Sequence, residues 1–297
     1  MHIPLLPVRV SEATLASWFL LAPTPDEGAA ERLRTELRER SDRIRVMLED
    51  ASGPVVGFVV ETDAPGAVTW VPRLRAALAG PQRQQALRAA AAHAKQICQA
   101  ASARFLECTL KGITDPEIAW RDAMLSEGFT CVARKCHYER DLSTSWQLRG
   151  GAPAFTAAEV DPSDERVEAL FARTLQGSLD RSTVFEQHHG GGLGAADRVL
   201  IVAHQGQDIG LCALEHEAGA ARGWIKYLGT IASARRGGVG QTLLGAGLAS
   251  LEAHGAKLAE CLIDSGNRPS IALHERHGFH ATGTCGDSYY AALGLPD

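Results

Sequence analysis

The residues best suited to chemistry lie between Tyr227 and Leu244, around the run Leu228-Gly229-Thr230-Ile231-Ala232-Ser233-Ala234-Arg235-Arg236-Gly237-Gly238-Val239-Gly240-Gln241. A stretch that reads as a strand runs into a glycine-rich turn and then into apolar residues of helical period. The free N–H groups of the first helical turn would point outward there and favour anionic oxygens, phosphate above all. Glycines let a phosphate approach without a Cβ in the way, and Arg235 and Arg236 add positive charge beside it. Two other phosphate loops do not fit. A dinucleotide fingerprint begun at Gly238-Val239-Gly240 needs its third glycine where Leu243 stands, and no Gly-Lys-Ser/Thr follows for a Walker A loop. Further on, Asn267-Arg268-Pro269-Ser270-Ile271-Ala272-Leu273-His274 brings a capping side chain, a hydroxyl and an imidazole together. His274, His277 and His280 have a metal-like spacing, but Gly278 should end the helix before His280 and remove the shared face, so no metal site is expected.

The elements that must hold these groups follow from periodicity. Asp197 to Ala203, Asp208 to Glu215 and Trp224 to Ile231 read as antiparallel strands, the first two joined by a turn at Gln205-Gly206-Gln207. Val239, Leu243, Leu244, Leu248 and Leu251 give a helix. An apolar strand around Leu258 to Ile263 follows, then a shorter helix through Ile271, Leu273 and His274. Gly278 stands where that helix needs a left-handed stop, and Phe279 opens another strand. This order indicates an α+β fold.

The architecture is written twice. Gly57-Phe58-Val59-Val60 and Gly66-Ala67 recur at one constant offset as Gly210-Leu211-Cys212-Ala213 and Gly219-Ala220. The same offset relates Ala103-Arg104-Phe105-Leu106-Glu107-Cys108 to Ala256-Lys257-Leu258-Ala259-Glu260-Cys261, and Glu127-Gly128-Phe129 faces His277-Gly278-Phe279 after a short insertion. Ser143-Thr144-Ser145 and Gly150-Gly151-Ala152-Pro153 break helix and strand alike, which divides the chain into domains 1–143 and 154–297.

Arg235-Arg236-Gly237-Gly238-Val239-Gly240 resembles the Arg/Gln-x-x-Gly-x-Gly/Ala loop of the GNAT superfamily of N-acetyltransferases. Asn267 to Phe279 is similar to that family's Asn-x-x-Ser/Ala-x-x-Leu-Tyr-x-x-x-Gly-Phe segment. The resemblance implies two GNAT-like domains, each a mostly antiparallel mixed sheet flanked by helices, with acetyl-CoA as co-substrate and a small-molecule amine as acceptor. By it, Leu228, Gly229 and Thr230 pair with the pantetheine arm. Arg235 to Gln241, with Asn267 and Ser270, complete the cofactor site.

The family pattern is broken in three places. The tyrosine that protonates the departing thiolate is replaced by His274, whose imidazolium could donate the same proton. The strand glutamate that serves as base is replaced by Trp224, leaving Asp264, Tyr227 and Glu215 as substitutes, Asp264 among the expected catalytic residues. In the first half, Arg83, Gln84, Gln85 and Leu87 stand where Arg236, Gly237, Gly238 and Gly240 should, and Met124 where His274 should, so that half is expected to be degenerate. The arrangement resembles mycothiol synthase as well, and loss of the usual acid and base leaves open a catalytically silent sensor of acyl-CoA.

Composition sets the remaining limits. With 45% hydrophobic and 22% charged residues over 297 positions, two ordered cores are affordable, and a formal charge of −5 without basic runs excludes a nucleic-acid partner. Trp18-Phe19-Leu20-Leu21 is too short for a signal peptide or membrane span, so a soluble, cytoplasmic protein is expected, its oligomeric state left open. Seven cysteines without a CxxC pair suggest free buried thiols instead of a disulfide frame. Phe185 to Gly194, rich in glycine, is expected to be a mobile loop and a candidate substrate lid.

Overall fold

The computed structural model describes residues 6–14, 17–18, 20–21, 27–40, 43–63, 66–69, 72–74, 78–111, 114–143, 155–193, 196–216 and 220–293. In the first half the chain forms β1 (Leu6–Arg9), α1 (Glu27–Glu39), β2 (Arg43–Asp50), β3 (Gly53–Asp63), β4 (Gly66–Thr69), β5 (Arg73–Leu74), α2 (Gly80–Ala100), β6 (Phe105–Leu110), α3 (Asp115–Ser126) and β7 (Thr130–Asp141). The second half gives β8 (Ala157–Val160), α4 (Glu165–Leu175), α5 (Arg181–His188), β9 (Arg198–His204), β10 (Gln207–Glu215), β11 (Arg222–Thr230), α6 (Val239–Ala253), β12 (Leu258–Asp264), α7 (Arg268–Arg276) and β13 (His280–Ala292). The repeat seen in the sequence is therefore a repeat of structure. β3, α2, β6, α3 and β7 recur as β10, α6, β12, α7 and β13.

Two compact units result, Met1–Val132 with Asp287–Asp297, and Ala133–Gly286. They cut the chain differently from the 1–143 and 154–297 division, whose linker at 144–153 lies outside the described residues. The difference has a simple cause: the strand that ends each sheet comes from the other repeat. Asp287–Ala292 of β13 pairs antiparallel with β6, and Lys135–Asp141 of β7 pairs antiparallel with β12. The sheet of the first unit runs β1-β2-β3-β4-β6-β13, and that of the second β8-β9-β10-β11-β12-β7. Within these two sheets β4 pairs with β6 and β11 with β12 in parallel and the other neighbours pair antiparallel, which makes the α+β sheets mixed and mostly antiparallel.

Burial explains the elements of the second unit. Val199, Leu200, Ile201 and Val202 are all buried, so β9 reads as a continuous apolar run covered on both faces. Gln205 and Gly206 turn it back into β10 with φ of 51° and 76°, the left-handed pair that suits a two-residue hairpin. α6 buries Leu243, Leu244, Leu248 and Leu251, and it lies so near the sheet that a Cβ on Gly210 would fall 2.9 Å from Val239 Cγ1. Gly278, φ 84°, ends α7 as expected. The first unit packs its own core around Phe58, Leu87, Leu106, Trp120 and Met124. No described helix is long and apolar enough to cross a membrane.

Two expectations are corrected. The segment Phe185 to Gly194 is not loop throughout: α5 continues to His188, its N-terminus capped by Asp180, and Gly194 lies outside the described residues. Cys136 and Cys285 form a disulfide, with Cα atoms 4.0 Å apart. The partners are 149 residues apart, so only the strand exchange that brings β7 beside β13 makes them neighbours. Burial pushes the free thiols of Cys98, Cys108 and Cys212 up to about 12, which keeps them protonated and inert. Thiol titration of the denatured, unreduced chain is expected to find the five of Cys98, Cys108, Cys131, Cys212 and Cys261. A count of seven would remove the bridge.

Candidate functional site

β11 and β12 begin as parallel partners and then part. Their register holds at Arg222↔Leu258, Gly223↔Ala259 and Trp224↔Glu260, and no pairing between them follows among the described residues. On its other edge β11 stays bonded to β10 up to Gly210↔Thr230, with a shift between Ala213 and Leu214 that makes Lys226 the extra residue of a bulge. Ile225 to Thr230 thus keeps one edge of backbone N–H and C=O groups without a strand partner. Such an edge is a template for the amides of an extended ligand.

That edge leads to the N-terminus of α6. Thr242 N–H is the first to bond within the helix, to Gly238 O at 3.0 Å, so the N–H groups of Val239, Gly240 and Gln241 have no acceptor in the helix. Gly238 is the cap, with φ 90° and ψ −7°, a left-handed conformation that turns the chain sharply into the helix. Arg236 is also left-handed, φ 65°, and exposed. Strand edge and helix end open on one cavity of about 600 Å³. Among its walls are Leu228, Gly229, Thr230, Arg235, Arg236, Gly238, Gly240, Gln241, Asn267 and Ser270, all named from the sequence. Gly237 and Val239 line a neighbouring hollow instead.

Arg235 is a partial exception to the expected phosphate cradle. Its guanidinium donates to Gly177 O at 2.8 Å, Gln176 O at 2.7 Å and Thr174 O at 3.2 Å, and Nε donates to Thr230 O at 3.3 Å. The first three are carbonyls at and just past the end of α4, where a cation is favoured by the helix dipole. Arg235 therefore fastens α4 to the loop, and Arg236 is the freer charge. Asn267 caps α7 by accepting from Ser270 N at 3.3 Å.

Beyond the point where the strands part lies a narrow cleft walled by Ile225 to Leu228, Cys261 to Asp264 and His274. His274 is only 3% exposed, and its Nδ1–H donates to Ser270 O at 2.8 Å. Burial, aided by His277, lowers its pKa to about 4 against the Ser270 hydrogen bond. That state departs from the imidazolium acid expected from the sequence. At neutral pH the ring is uncharged, its one proton sits on Nδ1 facing a carbonyl, and Nε2 has only a lone pair.

Asp264 is also unlike the free base expected. Its side chain is fully buried, accepting from Arg181 Nε at 3.1 Å and Nη2 at 3.3 Å and from Gly266 N at 2.9 Å. Burial raises its pKa, but the Arg181 and Gly266 bonds outweigh that and hold it below the ordinary carboxylate value. It joins β12 to the first turn of α5. Tyr227 is bonded to Thr174 Oγ1 at 2.9 Å, and because that hydroxyl donates to Phe171 O, the phenol must be the donor. Burial pushes Tyr227 up to about 12, so it is no base. Glu215 is half-buried and paired with Lys226 at 2.7 Å.

The three histidines of metal-like spacing do not converge. Nδ1 of His274 and of His277 bond to Ser270 O and Leu273 O, while His280 Nε2 lies 3.3 Å from Glu139. Sequence reasoning missed Gly177, Ser178 and Leu179, which line the cavity opposite α6. Their one signal is Gly177, whose φ of 63° ends α4 in a sharp turn.

Comparison with known proteins agrees with this geometry. Residues 156–279 match the model of the acetyltransferase (GNAT) family. No protein of curated function matches the chain. Among solved structures, a tandem GNAT protein from the clavulanic acid biosynthesis pathway is similar over 99% of this chain and 100% of its own, at 19% identity and TM-score 0.55. A GCN5-related N-acetyltransferase from Sphaerobacter thermophilus is similar over 99% and 98%, at 15% identity and TM-score 0.58. A GCN5-related glucosamine N-acetyltransferase region of a fungal multi-domain GH3 β-N-acetylglucosaminidase has TM-score 0.61 at 12% identity, over 98% of this chain and 38% of that one. The chain therefore carries a domain of the GNAT acetyltransferase family at residues 156–279, within a tandem GNAT fold.

Proposed function

We propose that the second unit transfers an acetyl group from acetyl-CoA to the amine of a small molecule. The observation that carries this reading is the unpartnered edge of β11, which runs from the α6 N-terminus to the cleft where β11 and β12 part. The helix end suits a pyrophosphate, and the strand edge suits the pantetheine amides. The thioester then lies in the cleft between Ile225–Leu228 and Cys261–Asp264. The residues fit CoA in one further respect: Gly240 lines the cavity beside the helix end, where a Cβ would also press on Leu273 of α7 at 3.3 Å.

When bound, acetyl-CoA supplies the activated carbonyl. The protein's part is to align it, exclude water and receive the acceptor amine. Neither His274 nor Asp264 is in a state to exchange a proton at neutral pH, which supports departure of the thiolate with a proton from solvent. The first unit supplies no second cradle. Arg83, Gln84, Gln85 and Leu87 all lie inside α2, which starts at Gly80 where the glycine turn of the other repeat would still be running. The first-repeat counterpart of His274, Met124, is a core residue.

Purified protein is expected to release free CoA thiol from acetyl-CoA only when a suitable amine is present, with an equal amount of acetylated amine by mass spectrometry. A panel of aliphatic amines, amino acids and amino sugars, glucosamine among them, is the direct trial. Tight acetyl-CoA binding with no transfer to any of them would replace the enzyme reading with a silent acyl-CoA sensor.

A further inference from the structure

β11 places an indole, Trp224, where the strand carboxylate of the family pattern is expected. A carboxylate stands immediately beside it. Trp224 is the register partner of Glu260 on β12, in the last pair before the strands part. Glu260 is 2% exposed, and two side chains reach it. Arg222 Nη1 donates to Oε1 at 2.6 Å, and His137 Nε2 lies 3.1 Å from the same oxygen without the alignment of a hydrogen bond. The His137 ring lies over Trp224 with centroids 5.6 Å apart, and its Nδ1 meets Thr282 Oγ1 at 3.2 Å.

The remaining oxygen, Oε2, is buried with no hydrogen-bond donor on it. A carboxylate oxygen in that state is costly until a donor completes it, and an amine N–H is such a donor. Alternation along β12 puts Glu260 on the same face as Leu262, which lines the cleft, and His137 is the register partner of Leu262 on β7. The carboxylate is thus one side-chain step from where the thioester would lie.

We propose that Glu260 receives the proton of the acceptor amine, with His137 as the positioning residue that holds it and conducts the proton outward. The proposal rests on the acyl-transfer reading above. Glu260 Oε2 takes one proton from the acceptor ammonium, and the freed nitrogen attacks the thioester carbon, forming the C–N bond and an oxyanion as a second N–H proton passes to water. The oxyanion collapses, the C–S bond breaks, and the electron pair leaves on sulfur, which takes a proton from water. Glu260 then passes its proton by way of His137 and Thr282 to solvent, restoring the carboxylate. The charged groups facing Glu260 are Arg222 from β11 and His137 and Glu139 from β7, Glu139 being its register partner and paired with His280 of β13. Because His137 belongs to the first repeat in sequence, the strand exchange gives that repeat a role in the active unit.

The test compares wild type, Glu260→Gln and Glu260→Asp on two acceptors: an aliphatic amine from the panel above, and hydroxylamine, which is neutral at pH 7 and attacks without a base. Glu260→Gln is expected to lower kcat for the aliphatic amine about 10²-fold with unchanged acetyl-CoA affinity, and to regain about tenfold per pH unit as free amine accumulates. With hydroxylamine its loss should stay below about fivefold, and Glu260→Asp should recover part of the aliphatic rate. His137→Gln should fall less than Glu260→Gln but show the same preference for hydroxylamine, which keeps the test intact if one variant folds poorly. An equal loss on both acceptors, or no loss on either, would overturn the role of Glu260 alone. Absence of transfer by wild type to any amine would overturn the acyl-transfer reading along with it.

Discussion

Gly238→Leu is expected to weaken acetyl-CoA binding by about 10²-fold or more while the fold persists. The residue caps α6 at φ 90°, where a leucine costs about 1–2 kcal/mol, so the turn must either bear that strain or shift. A shift moves the N–H groups of Val239, Gly240 and Gln241, the three donors left free at the helix end. No protein atom lies within 4 Å of a Cβ built at Gly238, so the new side chain projects into open space where a phosphate would approach. The core is little disturbed, because, of its residues, Val239 adjoins the turn while Leu243, Leu244 and Leu248 begin a turn later. Calorimetric titration checks the affinity and thermal melting the fold. Gly238→Ala should fall between the two, and unchanged affinity in a folded Gly238→Leu chain would show that the cradle lies elsewhere.

His274 makes the chain sensitive to mild acid. Its imidazole holds a proton far more weakly in the folded chain, with a pKa of about 4, than at its ordinary value of 6.5. The unfolded chain therefore takes up the proton first. The contribution is whole above pH 6.5, falls as pH drops from 6.5 to 4, and is gone below 4, an amount of about 3 kcal/mol. His277, also lowered by burial, acts in the same direction. Urea unfolding of wild type and His274→Gln across pH 7.5 to 4 isolates the effect, since other groups cancel in the difference. Wild type should lose more stability than the variant by about that amount, and parallel curves would mean that the ring is charged in the folded state.

Most of the fold could be read from the sequence because it rests on local regularities. The buried run Val199 to Val202, the left-handed turn at Gln205-Gly206 and the leucines of α6 each declare an element within a few residues. The groove proposed for the cofactor was legible for the same reason, since a strand, a glycine turn and a helix end are contiguous in the chain. Three things were not. The Cys136–Cys285 bridge, the pairing of β7 with β12 and the meeting of His137 with Glu260 all depend on the exchange of final strands between repeats, which no local pattern encodes. The protonation of His274 and the capture of Asp264 by Arg181 were hidden as well, because burial and a partner 83 residues away set them.

The most direct test of the account is a crystal structure with acetyl-CoA bound. One molecule per chain is expected, its pyrophosphate within hydrogen-bond reach of the N–H groups of Val239 to Gln241. Its pantetheine should pair with the open edge of β11 at Leu228 to Thr230, and its thioester should lie between Ile225–Leu228 and Cys261–Asp264. A cofactor seated at the N-terminus of α2 in the first unit, or one that leaves the β11 edge unpaired, would contradict it.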